Sequence, residues 1–104
     1  MMSFCLAYMT FANKEEARAI AKELIEKKVV SCFNIFPEIE SYFMWEKKLS
    51  HEKEVFAMAK LLEEDFSKLE RLVLEKHSYE NPCLLKLPIT GGSHKFLEWL
   101  GSRK

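Results

Sequence analysis

The chain has 104 residues, of which 48% are hydrophobic and 12% aromatic, and its 16 basic residues balance its 16 acidic ones. This composition excludes a disordered chain and predicts a single domain over residues 1–104, because a chain of this length can bury one core but is small for two. A net charge of zero provides no field that would draw the protein to nucleic acid or to anionic lipid, so neither is expected as a partner.

The first predicted elements are a strand and a helix. The opening stretch, M-M-S-F-C-L-A-Y-M-T-F, is apolar but lacks the cationic start and the cleavage-like end of a signal peptide. Charged residues follow too soon for a membrane span, so Phe4–Phe11 is predicted to be a strand. Asn13 can cap a helix whose apolar residues recur at helical spacing and which is expected to end near Lys27 and Lys28.

A long bent hairpin is predicted next. Val29–Phe36 and Ile39–Trp45 both have the composition of extended segments, and Pro37 between them favours a bulge or an edge position. A turn near Lys47 leads to a further strand, Glu54–Leu62.

The last predicted elements are a helix, a strand and a short terminal helix. The acidic run Glu63–Asp65 opens the second helix, where it faces the positive end of the helix dipole. Cys83–Ile89 forms the final strand, in which Pro88 again indicates an edge or a bulge. Gly91-Gly92 then breaks the chain, and the apolar residues that follow fit a short helix.

This order of elements predicts an α+β, ferredoxin-like fold, which is an antiparallel sheet covered on one face by two helices, with an additional short C-terminal helix. The other face of the sheet has no helix left to cover it, yet Val29–Phe36 is apolar on both alternating faces. An uncovered apolar face requires a partner, and a closed homo-oligomer is the commonest solution. Self-association is therefore predicted from the pattern alone.

Four sequence motifs, distributed along nearly the whole chain, together make a specific pattern. They are A-R-A-I-A-K-E-L-I-E-K-K-V-V-S-C-F-N-I at Ala17–Ile35, S-Y-F-M-W-E-K-K-L at Ser41–Leu49, H-S-Y-E-N-P at His77–Pro82, and L-P-I with F-L-E-W-L at Leu87–Ile89 and Phe96–Leu100. In this order and at these spacings they resemble the CutA family, the divalent-cation tolerance proteins.

The resemblance implies a ferredoxin-like fold, a tightly interlocked homotrimer, a loose association with copper and other divalent cations, and no established catalytic activity. The family is also similar in architecture to PII-type nitrogen regulators, which place small ligands in clefts between subunits. A small-ligand sensor or protein-interaction module without a metal function therefore remains the alternative.

The chain departs from the family pattern at several positions. They are Ser78 in place of a proline, Lys47 in place of a turn glycine, Phe43 in place of a tyrosine, Leu61-Leu62 in place of a hydroxyl pair, and Met9 in place of a cysteine that is a proposed metal ligand in some members.

Three residues are the candidates for binding copper. His77 either satisfies the end of the second helix or supplies an imidazole ligand. Met9 is either a core residue or a thioether ligand, and Cys32 is either a small packed side chain or a thiolate ligand. No H-x-x-x-H motif, H-x-H motif or carboxylate cluster predicts a preformed shell.

Tyr79 and Glu80 belong to the corner K-H-S-Y-E-N-P, for which two interpretations stand. In the structural one they hold the turn into the last strand through hydrogen bonds, and replacing Glu80 by glutamine lowers the melting temperature. In the functional one they line a cleft between subunits together with His77.

The remaining predictions concern the interface, the chemistry and the compartment. Trp45 and Trp99 are apolar anchors of the kind that dominate interfaces, so both are expected at contacts between copies. No signature of a nucleophile, a paired carboxylate or a phosphate-binding loop is present, and we expect no enzyme activity. Three cysteines far apart predict free thiols and a cytoplasmic location.

Overall fold

The structure, a computed structural model, describes residues 2–102 of the chain. Its elements are β1 (Phe4–Phe11), α1 (Lys14–Glu26), β2 (Cys32–Trp45), β3 (Lys48–Leu62), a 3-10 turn (Glu63–Asp65), α2 (Phe66–Lys76), β4 (Leu84–Ile89) and α3 (His94–Ser102).

The strands form one antiparallel sheet in the order β2-β3-β1-β4. Helices α1 and α2 pack on one face of it and α3 follows the last strand, so the predicted α+β, ferredoxin-like plan with an additional C-terminal helix is confirmed. Side chains of β1 alternate between the two faces, as the pleat of a strand requires. The helix side takes Cys5, Ala7, Met9 and Phe11, all completely buried.

Helix α1 has the bounds that its sequence predicts. The Asn13 side chain accepts a hydrogen bond from the Glu16 backbone N–H at 2.8 Å, which satisfies one of the unpaired donors of the first turn. Ala17, Ile20 and Leu24 are buried against the sheet. At the other end the N–H groups of Val29 and Val30 both bond to the Leu24 carbonyl oxygen, and this closure delays the start of β2 from Val29 to Cys32.

The long bent hairpin is confirmed, and it is longer than predicted. β2 continues through Pro37 with a shift of register between Phe36 and Ile39, which is the bulge that the proline indicates. β3 begins at Lys48 rather than Glu54, because its first residues pair with β2 beyond the end of β1. The resulting two-stranded arm contributes to the elongated shape of the molecule, 46 × 25 × 22 Å.

The second half of the chain differs from prediction by small shifts. Glu63–Asp65 forms a 3-10 turn, so α2 begins at Phe66, and no side chain caps either of these starts. β4 begins at Leu84 rather than Cys83 and lies at the sheet edge, where the missing N–H of Pro88 is tolerated.

The sheet face opposite α1 and α2, hereafter the open face, is rich in exposed apolar side chains. Tyr8, Phe56 and Phe36 form a row of rings with centroids 4.5 and 5.1 Å apart. Leu85 in β4 pairs in register with Tyr8 and is 57% exposed. Apolar residues also cover both sides of the arm tip, including Tyr42, Phe43, Met44, Trp45 and Leu49.

Among residues 2–102, no helix is both long and apolar enough to span a membrane.

Candidate functional site

The corner that follows α2 is organised around the ring of His77. The side chain is completely buried, and its ring stacks on Phe11 with centroids 4.9 Å apart and planes inclined by 14°. Nε2 lies 2.7 Å from the Thr10 carbonyl oxygen, while Nδ1 accepts the Tyr79 backbone N–H at 3.0 Å. These two bonds place the ring proton on Nε2 and use both nitrogens. His77 therefore bonds to β1 and to its own loop rather than to the terminal carbonyl groups of α2.

Tyr79 joins the same corner to the arm. Its hydroxyl donates a hydrogen bond of 2.8 Å to Glu54 Oε2, and the centroid of its ring lies 4.7 Å from that of the His77 ring. Burial and then the hydrogen bond to the Glu54 carboxylate raise the pKa of the Tyr79 phenol. The hydroxyl consequently remains a donor at all physiological pH values.

The carboxylates that hold this corner are Glu16 and Glu54. Glu16 Oε1 lies 3.4 Å from His77 Nδ1 and accepts the Ser78 backbone N–H at 3.3 Å. The Glu80 side chain is exposed and makes no hydrogen bond or ion pair with the described part of the chain. The structural role expected of Glu80 is thus taken by two acids that sequence reasoning missed, since they lie 62 positions from Ser78 and 25 from Tyr79.

The three residues predicted to bind copper do not come together within one chain. Met9 is buried on the helix side of the sheet, whereas Cys32 pairs with Lys60 on the open face. His77 already uses both ring nitrogens. Throughout residues 2–102, no group of three or more His, Cys, Asp or Glu side chains is placed to hold a metal ion. A complete metal centre within a single chain does not fit these residues, and their assignment as ligands stays a prediction.

Cys32 has a cationic neighbour. The Lys60 ammonium donates a 2.6 Å hydrogen bond to Asn34 Oδ1 and lies 3.7 Å from Cys32 Sγ, which is itself 3.7 Å from the same amide oxygen. Lys60 is thus the polar partner of the Asn34 amide. A second cation at the sulfur would have to displace this ammonium or share its surroundings, which like-charge repulsion opposes.

The two tryptophans lie at the surface of the chain. Trp45 ends β2 at the tip of the arm and is 61% exposed, and Trp99 on α3 is 40% exposed beside Phe96. Large exposed aromatic side chains are typical of interfaces, so both remain predicted contact residues.

Comparisons with known proteins cover almost the whole chain. A family model described as CutA1 divalent ion tolerance protein matches residues 5–103. The divalent-cation tolerance protein CutA of Archaeoglobus fulgidus is 42% identical over 93 residues, which are 89% of this chain and 90% of that protein. The chloroplastic protein CutA of Arabidopsis thaliana is 37% identical over 91% of this chain, which spans only 52% of that longer protein.

The fold also matches solved structures. The crystal structure of CutA1 from Oryza sativa superposes with a TM-score of 0.93 at 35% sequence identity, covering 98% of this chain and 94% of that one. The likeness therefore extends through the arm and the corner as well as the helix-covered core.

Proposed function

The chain belongs to the CutA1 divalent ion tolerance family, and from that premise we propose that it acts as a homotrimer in the tolerance of divalent cations, copper among them, without catalysing a reaction.

The observation that carries the proposal is the open face of the sheet. Its aromatic row and the exposed leucines of β4 continue towards an arm whose tip is apolar on both sides. Monomeric proteins rarely expose contiguous apolar surface on this scale, and copies related by a closed symmetry can bury it. The arm extends beyond the end of β1, so its apolar tip is left uncovered by its own chain and can be buried by a second one.

A cation site in this proposal is completed between copies. The candidate ligands of one chain are separated by the sheet or already hydrogen-bonded, so a second chain has to supply further donors. Copper accepts imidazole and soft sulfur. Cys32 on the open face is the predicted ligand that a second chain can approach directly, whereas the buried His77 ring and Met9 side chain would first have to leave their positions in the chain.

We further propose that the protein works in the cytoplasm. The thiols of Cys5, Cys32 and Cys83 are all unpaired, as is usual in a reducing compartment. The name of the Arabidopsis relative places that protein in the chloroplast, so a fusion of this chain to a fluorescent protein is the direct test.

Sedimentation equilibrium tests the oligomer. We expect a mass of three chains at micromolar concentration and no folded monomer. A folded, monodisperse monomer or a stable dimer under these conditions would contradict the trimer.

Copper titration of the oligomer tests the cation site. We expect His77→Ala or Cys32→Ser to weaken copper binding by about tenfold or more, because losing even a residue that only supports a metal ligand typically costs that much. His94→Ala is the matched control, because His94 is exposed on α3. If the wild type and the three variants have equal copper affinity and remain oligomeric, His77 and Cys32 are not ligands of the site.

The second candidate function is a small-ligand sensor, and Glu80 is the observation that favours it. This carboxylate has no partner in the described part of the chain, yet it projects from a loop that His77 and Tyr79 hold firmly. A thermal-shift screen against divalent metals and anionic or cationic metabolites separates the two functions, because a ligand of the native state raises the melting temperature.

A further inference from the structure

A groove runs between α1 and α2 on the side of the molecule away from the open face. Its volume is about 430 Å³, within the range of sites that hold small ligands or peptide side chains. The nearly buried apolar side chains of Val29 and Leu72 lie within its lining. We refer to it as the helix groove.

The helix groove is cationic although the chain as a whole is neutral. Its charged lining consists of Lys27, Lys68, Arg71 and Lys76 against Glu23 and Glu75, an excess of two positive charges. The whole chain, in contrast, has a formal net charge of zero. A local excess of this kind selects a negatively charged partner.

Some of these charges are already held in place. Glu23 accepts a 2.7 Å hydrogen bond from Lys27 Nζ and lies 3.7 Å from Lys76 Nζ, so one carboxylate positions two ammonium groups at one end of the groove. The hydrogen bond from Lys27 holds the pKa of Glu23 below its ordinary value. Lys68 pairs with Asp65 at 3.6 Å.

Arg71 is different, because it has no ion-pair or hydrogen-bond partner within residues 2–102. Its guanidinium is a planar fork that binds a carboxylate through two parallel hydrogen bonds. An exposed, unpaired fork beside an apolar lining can bind a carboxylate and an adjacent apolar side chain together.

The spacing of the cations favours a peptide over a small anion as the ligand of the helix groove. Lys68 and Lys76 are eight positions apart on α2, which is about 12 Å along the helix axis at 1.5 Å per residue. A small anion reaches only part of that distance, whereas about four residues of extended chain cover it. The acids Glu23 and Glu75 interrupt the positive surface, which disfavours the continuous phosphate backbone of a nucleic acid.

We propose that the helix groove is a docking site for a short acidic segment of a partner protein, with its carboxylates on Arg71 and the lysines and an apolar side chain on Val29 and Leu72. The groove lies on the opposite side from the open face, so copies that associate through that face still present it to solvent. The inference goes beyond the proposed function and does not depend on a metal.

Fluorescence anisotropy tests the docking site with a labelled peptide of alternating glutamate and leucine. We expect saturable binding at low salt that weakens as the salt concentration rises, because screening reduces attraction between exposed charges. Arg71→Glu is expected to weaken binding about tenfold or more, and Arg71→Gln by less. Arg18→Glu is the matched control, since Arg18 is exposed on α1 but does not line the groove, and it should leave the affinity within about twofold.

Three results would overturn the proposal. They are the absence of saturable binding by the peptide, equal loss of affinity in Arg71→Glu and Arg18→Glu, and inorganic tripolyphosphate binding as tightly as the peptide. Sedimentation of the same variants reports the oligomer separately, so failure of the docking site is distinguishable from failure of the proposed trimer.

Discussion

At the scale of single residues, the corner at position 77 owes its shape to side chains from distant parts of the sequence. His77 bonds to Thr10 of β1 and to the backbone of Tyr79, whose hydroxyl reaches Glu54 of β3. A buried polar group costs free energy unless it is paired, and here the pairs link strands to the loop before β4. The corner is consequently a structural joint before any ligand is considered.

The pairing of Tyr79 predicts a pH dependence of stability. The folded-state pKa of its phenol is raised above the ordinary value of 10.0, so the stabilisation is fully present below about pH 10 and is lost as pH rises towards the raised value. We expect Tyr79→Phe to melt several degrees below the wild type at pH 8, and the difference to shrink as pH is raised above about 10. Scanning calorimetry across this range measures it.

The matched control for that measurement is Tyr42→Phe, because Tyr42 lies on the arm and is 64% exposed. The melting temperature of Tyr42→Phe should equal that of the wild type at every pH. A constant difference in melting temperature between the wild type and Tyr79→Phe up to the highest pH would show that ionisation of the Tyr79 phenol does not affect stability.

The two glutamates near this corner are expected to behave differently. Glu54 accepts the Tyr79 hydroxyl in a charge-assisted hydrogen bond, a class worth about 1.5–3 kcal/mol. We therefore expect Glu54→Gln to lower the free energy of unfolding by about 1 kcal/mol or more, since the amide keeps the shape but weakens the bond. Glu80→Gln, the matched control, should change it by less than about 0.5 kcal/mol. Urea unfolding at pH 7 measures both, and equal losses would reject this assignment.

The corner was predictable only in part, because some of the residues that hold it are far from it in the sequence. Its own residues, His77, Tyr79 and Glu80, stand out because imidazole, phenol and carboxylate are close together in sequence. Glu16 was visible only as an acid in the first turn of a helix, and Glu54 only as the first residue of a predicted strand. No local pattern indicates that two such acids will meet the corner in space, whereas the nearer Glu80 is the acid that the local sequence makes visible.

At the scale of elements, bounds that depend on local contacts were predicted well, whereas bounds that depend on pairing with a distant strand were not. The start of α1 was predictable because the Asn13 cap is a contact within one turn. The start of β3 was not, because the polar residues of the arm become a strand only by pairing with β2, and Lys47 removes the glycine that would mark the turn. Glu46 and Lys47 both have positive φ angles, 49° and 67°, as the two-residue turn of a hairpin requires.

This turn predicts a stabilising substitution. A side chain in the left-handed region costs roughly 1–2 kcal/mol, whereas glycine enters that region without steric penalty. Part of the gain is offset by the greater freedom of glycine in the unfolded chain, so we expect Lys47→Gly to raise the free energy of unfolding by about 0.5–1 kcal/mol.

Lys48→Gly provides the control for the turn, because Lys48 begins β3 and glycine weakens a strand. Urea unfolding under identical conditions should move the two midpoints in opposite directions. A lower midpoint for Lys47→Gly than for the wild type would show that the turn is not under strain at this position.

At the scale of the whole molecule, the two sides of the sheet differ in what covers them. The helix side contains the fully buried core, while the open face and the arm tip leave large apolar side chains in solvent. The proposed homotrimer therefore predicts that a charge placed on the open face damages association more than the fold of one chain. Leu85 in β4 suits this test because it is 57% exposed and contributes little to the core.

We expect Leu85→Glu to remain folded by circular dichroism but to weaken association by about a hundredfold or more, since burying an unpaired carboxylate at an interface costs several kcal/mol. Leu74→Glu is the matched control, because Leu74 is also a half-exposed leucine but lies on α2, on the helix side. Sedimentation velocity over a dilution series should show Leu85→Glu dissociating at concentrations where Leu74→Glu and the wild type remain assembled. An intact oligomer in Leu85→Glu, or equal dissociation of both variants, would mean that the copies do not meet through the open face at β4.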